Sequence, residues 1–299
     1  MEVYDNDKKN TKHYTDHTVK KEFFPRSELN DWLPLWEKIV FFLLGYIGIN
    51  IFSFILQRIL FATPLAVFKN GLFLGFTTLG SVLINFFTYF LLVLSFCLFL
   101  FFDRRKTYKK FFSQFKCKST YLYGLIGFGC ILAFQLILGN IYQATIPFYG
   151  SNSNQNGIEE MTKAYPVLLF IMTVFFAPFV EELTYRIGIV DTIGHKYKFR
   201  WLGILASALI FGAIHANLFS AYINFTDIVS DSKATAEAIE QAKIAIYNEW
   251  LNLPIYIGSG FLLGLTYAKS GKISASFMAH MGVNMFSMIV TIIQNSLAK

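Results

Sequence analysis

The sequence predicts an all-α protein, a multi-pass transmembrane helical bundle of about seven spans with its N-terminus inside and its C-terminus outside. Three observations carry that prediction. Of 299 residues, 55% are hydrophobic, 18% aromatic and only 15% charged, and the mean hydropathy of +0.47 is above that of an ordinary soluble domain. Uncharged runs near 20 residues recur along the chain, the length that crosses a hydrocarbon core of roughly 30 Å. The basic residues, finally, fall unevenly between alternate connections: with the N-terminus inside, the inner segments hold 20 of the 26 Lys and Arg and the outer ones six. That bias is the positive-inside rule and gives the N-in, C-out orientation. It also accounts for the net charge of +7 by topology and contact with anionic lipid headgroups, and so argues against nucleic acid as a partner.

The spans are read at about 39–58, 78–102, 121–142, 166–188, 202–221, 253–268 and 273–294. Ahead of them, residues 1–38 form a polar cytoplasmic tail. It lacks the short apolar core of a cleavable signal, so the first span is read as an anchor. Its first 26 residues have a disordered composition, and Phe23, Phe24, Trp32 and Trp36 form an interfacial aromatic segment. Residues 39–164 supply the N-terminal transmembrane helices. Within them the charge-free run from Gly71 to Phe102 exceeds one upright span, so it is expected to tilt or to begin along the interface. Residues 143–165 are rich in Asn, Ser and Gly and are read as a loop. Residues 165–295 form a transmembrane core carrying every motif below. It includes an outer amphipathic helix near 231–250, capped by Asp231 or Ser232, which rests on the membrane face or covers an opening. Cys97, Cys117 and Cys130 have no metal or redox spacing and are read as small packing residues.

The chemistry concentrates at "APFVEELTYR". A carboxylate within the bilayer costs about 2.5 to 3.5 kcal/mol on insertion scales, so it needs a partner or a task. Glu182 and Arg186 stand at i and i+4, where they can pair. Glu181 is rotated by about 100° and is left to face something else. Of the five histidines, His13, His17 and His195 lie in polar segments. The other two are in spans: "FGAIH" sets Phe211 four residues before His215, and "HMGVN" sets His280 four before Asn284, each pair on one helical face. Taken alone, each intramembrane His could simply hydrogen-bond a neighbouring helix.

The three stretches EELTYR, FGAIH and HMGVN resemble, in order, the EExxxR, FxxxH and HxxxN motifs of the CPBP (Abi) family of intramembrane proteases, the type II CAAX prenyl endopeptidase and bacteriocin-processing family. The resemblance covers residues 165–295. It implies an endopeptidase in which Glu181 and His215 activate a water while His280 and Asn284 stabilise the oxyanion, with Glu182, Arg186 and Phe211 in support. Hydrolysis by these groups needs no covalent intermediate and no cofactor. No metal is assigned; if zinc is bound, Glu181, His215 and His280 are its candidate ligands, although HExxH is absent. The implied partners are a peptide or membrane-protein substrate, the lipid bilayer of a bacterial cell, and a membrane or cell-surface protein. Two other readings stay open. One is a non-proteolytic scaffold or bacteriocin-immunity protein of the same family. The other is a transporter using Glu and His as a proton relay, against which stands the lack of an inverted repeat. Helical rise sets one difficulty: Glu181 and His280 lie about 10 Å above the inner ends of their spans, but His215 lies about 20 Å above its own.

Overall fold

The computed structural model describes residues 23–25, 27–103 and 106–297, apart from the side chains of residues 28 and 197. The tail reading for residues 1–22 and 26, with His13 and His17, falls outside the described residues. In chain order the elements are α1 (Glu28–Trp32), α2 (Leu35–Phe61), a hairpin of β1 (Ala66–Lys69) and β2 (Leu72–Phe76), α3 (Thr78–Phe102), α4 (Thr107–Ser113), α5 (Lys118–Thr145), α6 (Ser153–Ala164), α7 (Pro166–Ile193), α8 (Arg200–His215), α9 (Leu218–Ser230), α10 (Ala236–Ser270) and α11 (Ile273–Leu297). Among the described residues, seven spans are long and apolar enough to cross a membrane: α2, α3, α5, α7, α8 continued by α9, α10 and α11. The chain is an integral membrane protein with the all-α bundle that its hydropathy predicts.

Local chemistry sets most boundaries. Pro166 occupies the first turn of α7, where its missing N–H is no loss. Gly271, at φ +67°, ends α10 in the left-handed region. The Thr77 hydroxyl accepts from the Gly80 N–H and the Asn152 side-chain Oδ1 from the Gln155 N–H, each at 3.1 Å, capping α3 and α6.

Four features differ from the sequence reading. The outer helix and the sixth span are one helix of 35 residues, capped by Thr235 rather than by Asp231 or Ser232; Asp231 accepts instead from the Lys233 N–H in the preceding turn. The segment 143–165 contains α6, because the Asn152 cap starts a helix that its Asn and Ser content had concealed. The long charge-free run starts in a hairpin whose two-residue loop, Asn70-Gly71, has positive φ at both positions, the arrangement that joins twisted antiparallel strands. Cys97 and Cys130 are exposed on the bundle's outer surface rather than packed inside it.

That surface is otherwise apolar, with Ile51, Phe54, Phe101, Leu125, Ile137, Leu209 and Phe219 among its exposed side chains, as a lipid-facing belt requires. The inside is organised around α7. Its most apolar stretch is 56% buried, against 17 to 39% in the other spans, so it is the central helix. Leu183, Ile187 and Val190 of α7 pack with Phe41, Leu92, Phe96, Ile204 and Tyr267. The close fit of α2 to α7 depends on Gly188, where a Cβ would stand 2.8 Å from the Phe42 backbone. A buried polar network closes the end nearer the N-terminus. Arg200 lies 3.5 Å from Asp191, the Tyr267 hydroxyl donates to Asp191, and Ser27 joins Tyr267 at 2.8 Å, tying the start of α1 to α7, α8 and α10.

Candidate active site

Span α7 is not a uniform helix. Two π-helical stretches, Met172–Phe176 and Leu183–Val190, flank the α-helical Ala177–Glu182 that ends in the glutamate pair. Such π turns widen a helix and often accompany functional side chains.

Glu182 is almost fully buried. It receives Arg186 Nε at 2.8 Å and Nη2 at 3.2 Å, so the i, i+4 pair expected from the sequence is present and bidentate. Arg186 also donates through Nη1 to Ser207 of α8 at 2.7 Å. Two groups of α11 complete the cluster, the Ser276 hydroxyl on Oε2 and His280 Nδ1 on Oε1 at 3.0 Å. Three residues from two other helices thus lock around one ionic pair, which is how charge is kept inside a membrane.

Glu181 points elsewhere. Its side chain is 12% exposed, and Tyr89 of α3 donates to its Oε1 at 3.4 Å. Its Oε2 faces two imidazoles, with His280 Nε2 at 3.7 Å and His215 Nε2 at 3.9 Å. Both gaps exceed a direct hydrogen bond, and all three residues border the same cavity.

The orientation of each imidazole is fixed by its other nitrogen. His215 Nδ1 lies 2.8 Å from the Phe211 carbonyl, which can only accept, so Nδ1 carries the proton and the neutral ring presents a lone pair at Nε2. The ring is sandwiched between Phe211, 4.3 Å away at 29°, and Tyr256, 5.0 Å away at 27°. His280 Nδ1 donates to the Glu182 carboxylate by the same reasoning, and its Nε2 also turns toward Glu181. Asn284, one turn further on, gives an Nδ2 hydrogen to the Thr173 carbonyl in the first π stretch at 2.8 Å. Its amide still borders the cavity.

The backbone breaks directly after His215, and Glu249 holds the break. This buried carboxylate accepts from the Asn217 N–H at 2.9 Å, the Ser153 N–H at 2.8 Å, the Ser153 hydroxyl and Asn152 Nδ2 at 3.2 Å. Asn152 in turn donates to the His215 carbonyl at 3.0 Å and accepts from the Tyr256 hydroxyl at 3.2 Å. The starts of α6 and α9 are thereby fastened to α10 beside His215.

The structure therefore brings Glu181, His215, His280 and Asn284 to one place and puts Glu182, Arg186 and Phe211 immediately behind them. The depth difficulty between Glu181 and His215 narrows because α7 continues to Ile193 and α8 starts at Arg200. Glu181 then stands 12 residues, about 18 Å, from its end of the bundle and His215 15 residues, about 22 Å, from the same end. Sequence reasoning missed Tyr89, Ser207, Ser276, Asn152, Tyr256 and Glu249. Ser207 and Ser276 are small polar residues inside apolar spans, a usable signal; Tyr89 is one aromatic residue among many, and Glu249 reads as part of a surface helix.

Glu181, His215, His280 and Asn284 border a cavity of about 380 Å³ that also draws Asn85 and Tyr89 from α3, Gln135 from α5, and Ser153, Asn154, Ile158 and Met161 from α6. Two imidazole Nε2 atoms opposite a carboxylate would suit zinc with both rings unprotonated at Nε2, and Glu182 behind His280 is the kind of partner that orients a ligating imidazole. As positioned, no three His, Cys, Asp or Glu groups among the described residues stand at ligand spacing.

Residues 163–286 match the family model of the Rce1-like type II CAAX prenyl endopeptidases. This bears out the resemblance carried by the three motifs, and the Rce1-like region contains all seven motif residues. Among curated relatives, UPF0177 protein YvdC of Lactococcus lactis is 31% identical over 91 residues, covering 30% of this chain and 34% of that protein. The "Putative membrane peptidase YdiL" of Bacillus subtilis is 23% identical over 169 residues, 56% of this chain and 55% of that one. The matches thus span about a third and about half of these relatives. No solved structure gives a significant match. At the family level these likenesses support a protease-like membrane enzyme.

Proposed function

We propose that this chain is an intramembrane endopeptidase that hydrolyses a peptide bond in a membrane-associated protein or peptide. The supporting observation is the convergence of the Glu181 carboxylate with two imidazole nitrogens, at 3.7 and 3.9 Å, on a cavity that Asn284 also borders. A water between Glu181 Oε2 and His215 Nε2 gives up one proton to the Glu181 carboxylate as its oxygen bonds to the scissile carbonyl carbon. The carbonyl electrons move onto oxygen, and that oxyanion accepts from Asn284 Nδ2 and from His280 Nε2, the latter in its doubly protonated form. The C–N bond then breaks, the proton taken from water passes to the departing nitrogen, and a carboxylic acid and an amine leave. Tyr89 holds Glu181 in place, and Glu182, held by Arg186, orients His280.

If zinc occupies the site, Glu181, His215 and His280 would hold it, and it would polarise the carbonyl and acidify a bound water. Turnover that survives exhaustive chelation supports the metal-free route.

The scaffold reading draws on one observation, the Asn284 bond to the Thr173 carbonyl, which resembles ordinary helix-to-helix bonding. Purified protein in lipid nanodiscs, assayed with a quenched-fluorescent peptide library, separates the two. Glu181→Gln is expected to reduce cleavage at least about 10²-fold while leaving the thermal transition unchanged. Equal cleavage by the variant, or none by the wild type, would sink the proposal.

A further inference from the structure

We propose that this chain pairs with a second copy of itself in the membrane, with the lipid-facing side of α2 as the interface. The inference is independent of the proteolytic reading and of the cavity.

It begins with a mismatch within α2. This helix is the most apolar of the seven spans, and its most apolar stretch is only 17% buried. Its outward side should therefore be uniformly apolar, because lipid offers polar groups no partner. Instead Tyr46, Asn50 and Gln57 are exposed there and Ser53 is half-buried. The inward side is separate and already occupied. Phe41, Gly45 and Gly48 are buried, and a Cβ at Gly45 would fall 1.8 Å from Thr184 Oγ1 of α7.

Local bonds satisfy the outward groups only in part. Asn50 gives an Nδ2 hydrogen to the Tyr46 carbonyl at 2.9 Å, and Gln57 gives an Nε2 hydrogen to the Ser53 hydroxyl at 3.0 Å. Each amide keeps a second N–H and its carbonyl oxygen, and these make no hydrogen bond among the described residues. Asn50 lies near the middle of the 27 residues of α2, where polar groups without partners cost most.

Spacing indicates what covers them. Leu43, Tyr46, Asn50, Ser53, Gln57 and Leu60 follow one another at alternating steps of three and four, the 3.5-residue repeat of a left-handed coiled-coil seam. Lipid imposes no such repeat, whereas a second helix crossing at about 20° does. An amide is donor and acceptor at once and so complements another amide. Copies of one chain insert with the same orientation, so a two-fold axis along the membrane normal sets α2 parallel to α2. Asn50 then meets Asn50 and Gln57 meets Gln57, each at its own depth. A different partner would need polar groups of its own at both depths. No described residue of α2 lines the cavity, so the seam is distinct from the candidate active site.

The test uses the full-length protein lacking Cys97, Cys117 and Cys130, reconstituted in phosphatidylcholine vesicles. Copies carrying Lys233→Cys, in an exposed turn, are labelled with donor or acceptor dye, and energy transfer is followed as lipid dilutes the protein. Saturable transfer is expected. Asn50→Leu with Gln57→Leu should require at least about tenfold more protein per lipid for half-maximal transfer. Asn140→Leu, which removes an exposed amide from α5 instead, should leave the curve unchanged. A second arm does not depend on the folding of the double variant: under oxidation Ser53→Cys is expected to cross-link into dimers, and Leu125→Cys, exposed on α5, to stay monomeric. Transfer no greater than random proximity gives, coincident curves with and without the two amides, or equal cross-linking at positions 53 and 125 would each overturn the inference.

Discussion

Two adjacent glutamates have received opposite environments, and the difference is readable at single atoms. Glu182 has Arg186, Ser276 and His280 on its two oxygens, while Glu181 has a tyrosine on one and open space before two imidazoles on the other. The sequence could assign Glu182 to Arg186 from spacing alone. It could not reveal that Glu182 also fixes the His280 ring, because that contact joins residues 98 positions apart. Removing the cation should therefore damage the fold as well as the chemistry: Arg186→Ala leaves a buried carboxylate unpaired and is expected to lower stability by about 3 to 5 kcal/mol, read from unfolding in detergent. An unchanged unfolding midpoint would contradict the buried pair. Asn284→Asp has the opposite signature. It preserves size but exchanges an amide donor for an acceptor, so turnover should drop about 10²- to 10³-fold in a protein that still folds. Near wild-type cleavage by that variant would remove Asn284 from the oxyanion role.

Among the elements, the break between α8 and α9 is as important as either helix. Its position after His215 was legible only as an ambiguity, since residues 202–221 read as one apolar span and no proline or glycine marks the interruption. What stabilises it comes from α10, through Glu249. Glu249→Ala would strand the backbone N–H groups of Ser153 and Asn217, and is expected to cost about 1 to 3 kcal/mol and to reduce turnover by letting His215 shift. Retention of both stability and rate would show that the break holds itself. The hairpin teaches a different lesson about legibility. Asn70-Gly71 between two apolar runs is a strong local signal, but hydropathy averaged over a span-length window merges those runs into the helix that follows. Composition hid α6 instead: its Asn and Ser content reads as a loop, and its helical start depends on one capping side chain, Asn152.

For the molecule as a whole, composition and the spacing of apolar runs were enough to find seven spans, because the bilayer fixes span length independently of packing. Orientation is a separate question that charge placement answers by proposal: the connections containing Lys110 and His195 inside, and that containing Ala236 outside. Single cysteines at positions 110 and 236, in a background lacking Cys97, Cys117 and Cys130, decide it with an impermeant thiol reagent. Labelling of intact cells at 236 and not at 110 is expected, and the reverse would invert the topology. The cavity was the least legible feature, since it exists only where helices distant in sequence meet. Its reactive groups come from α7, α8 and α11, whereas Asn85 and Gln135 come from α3 and α5, outside the matched region. On the proposed reading, the chemistry and part of the cavity wall are therefore encoded in different stretches of the chain. Substitutions in the first three spans could give a descendant new substrates while every motif residue stayed in place, and two chains alike in their motifs need not share a diet.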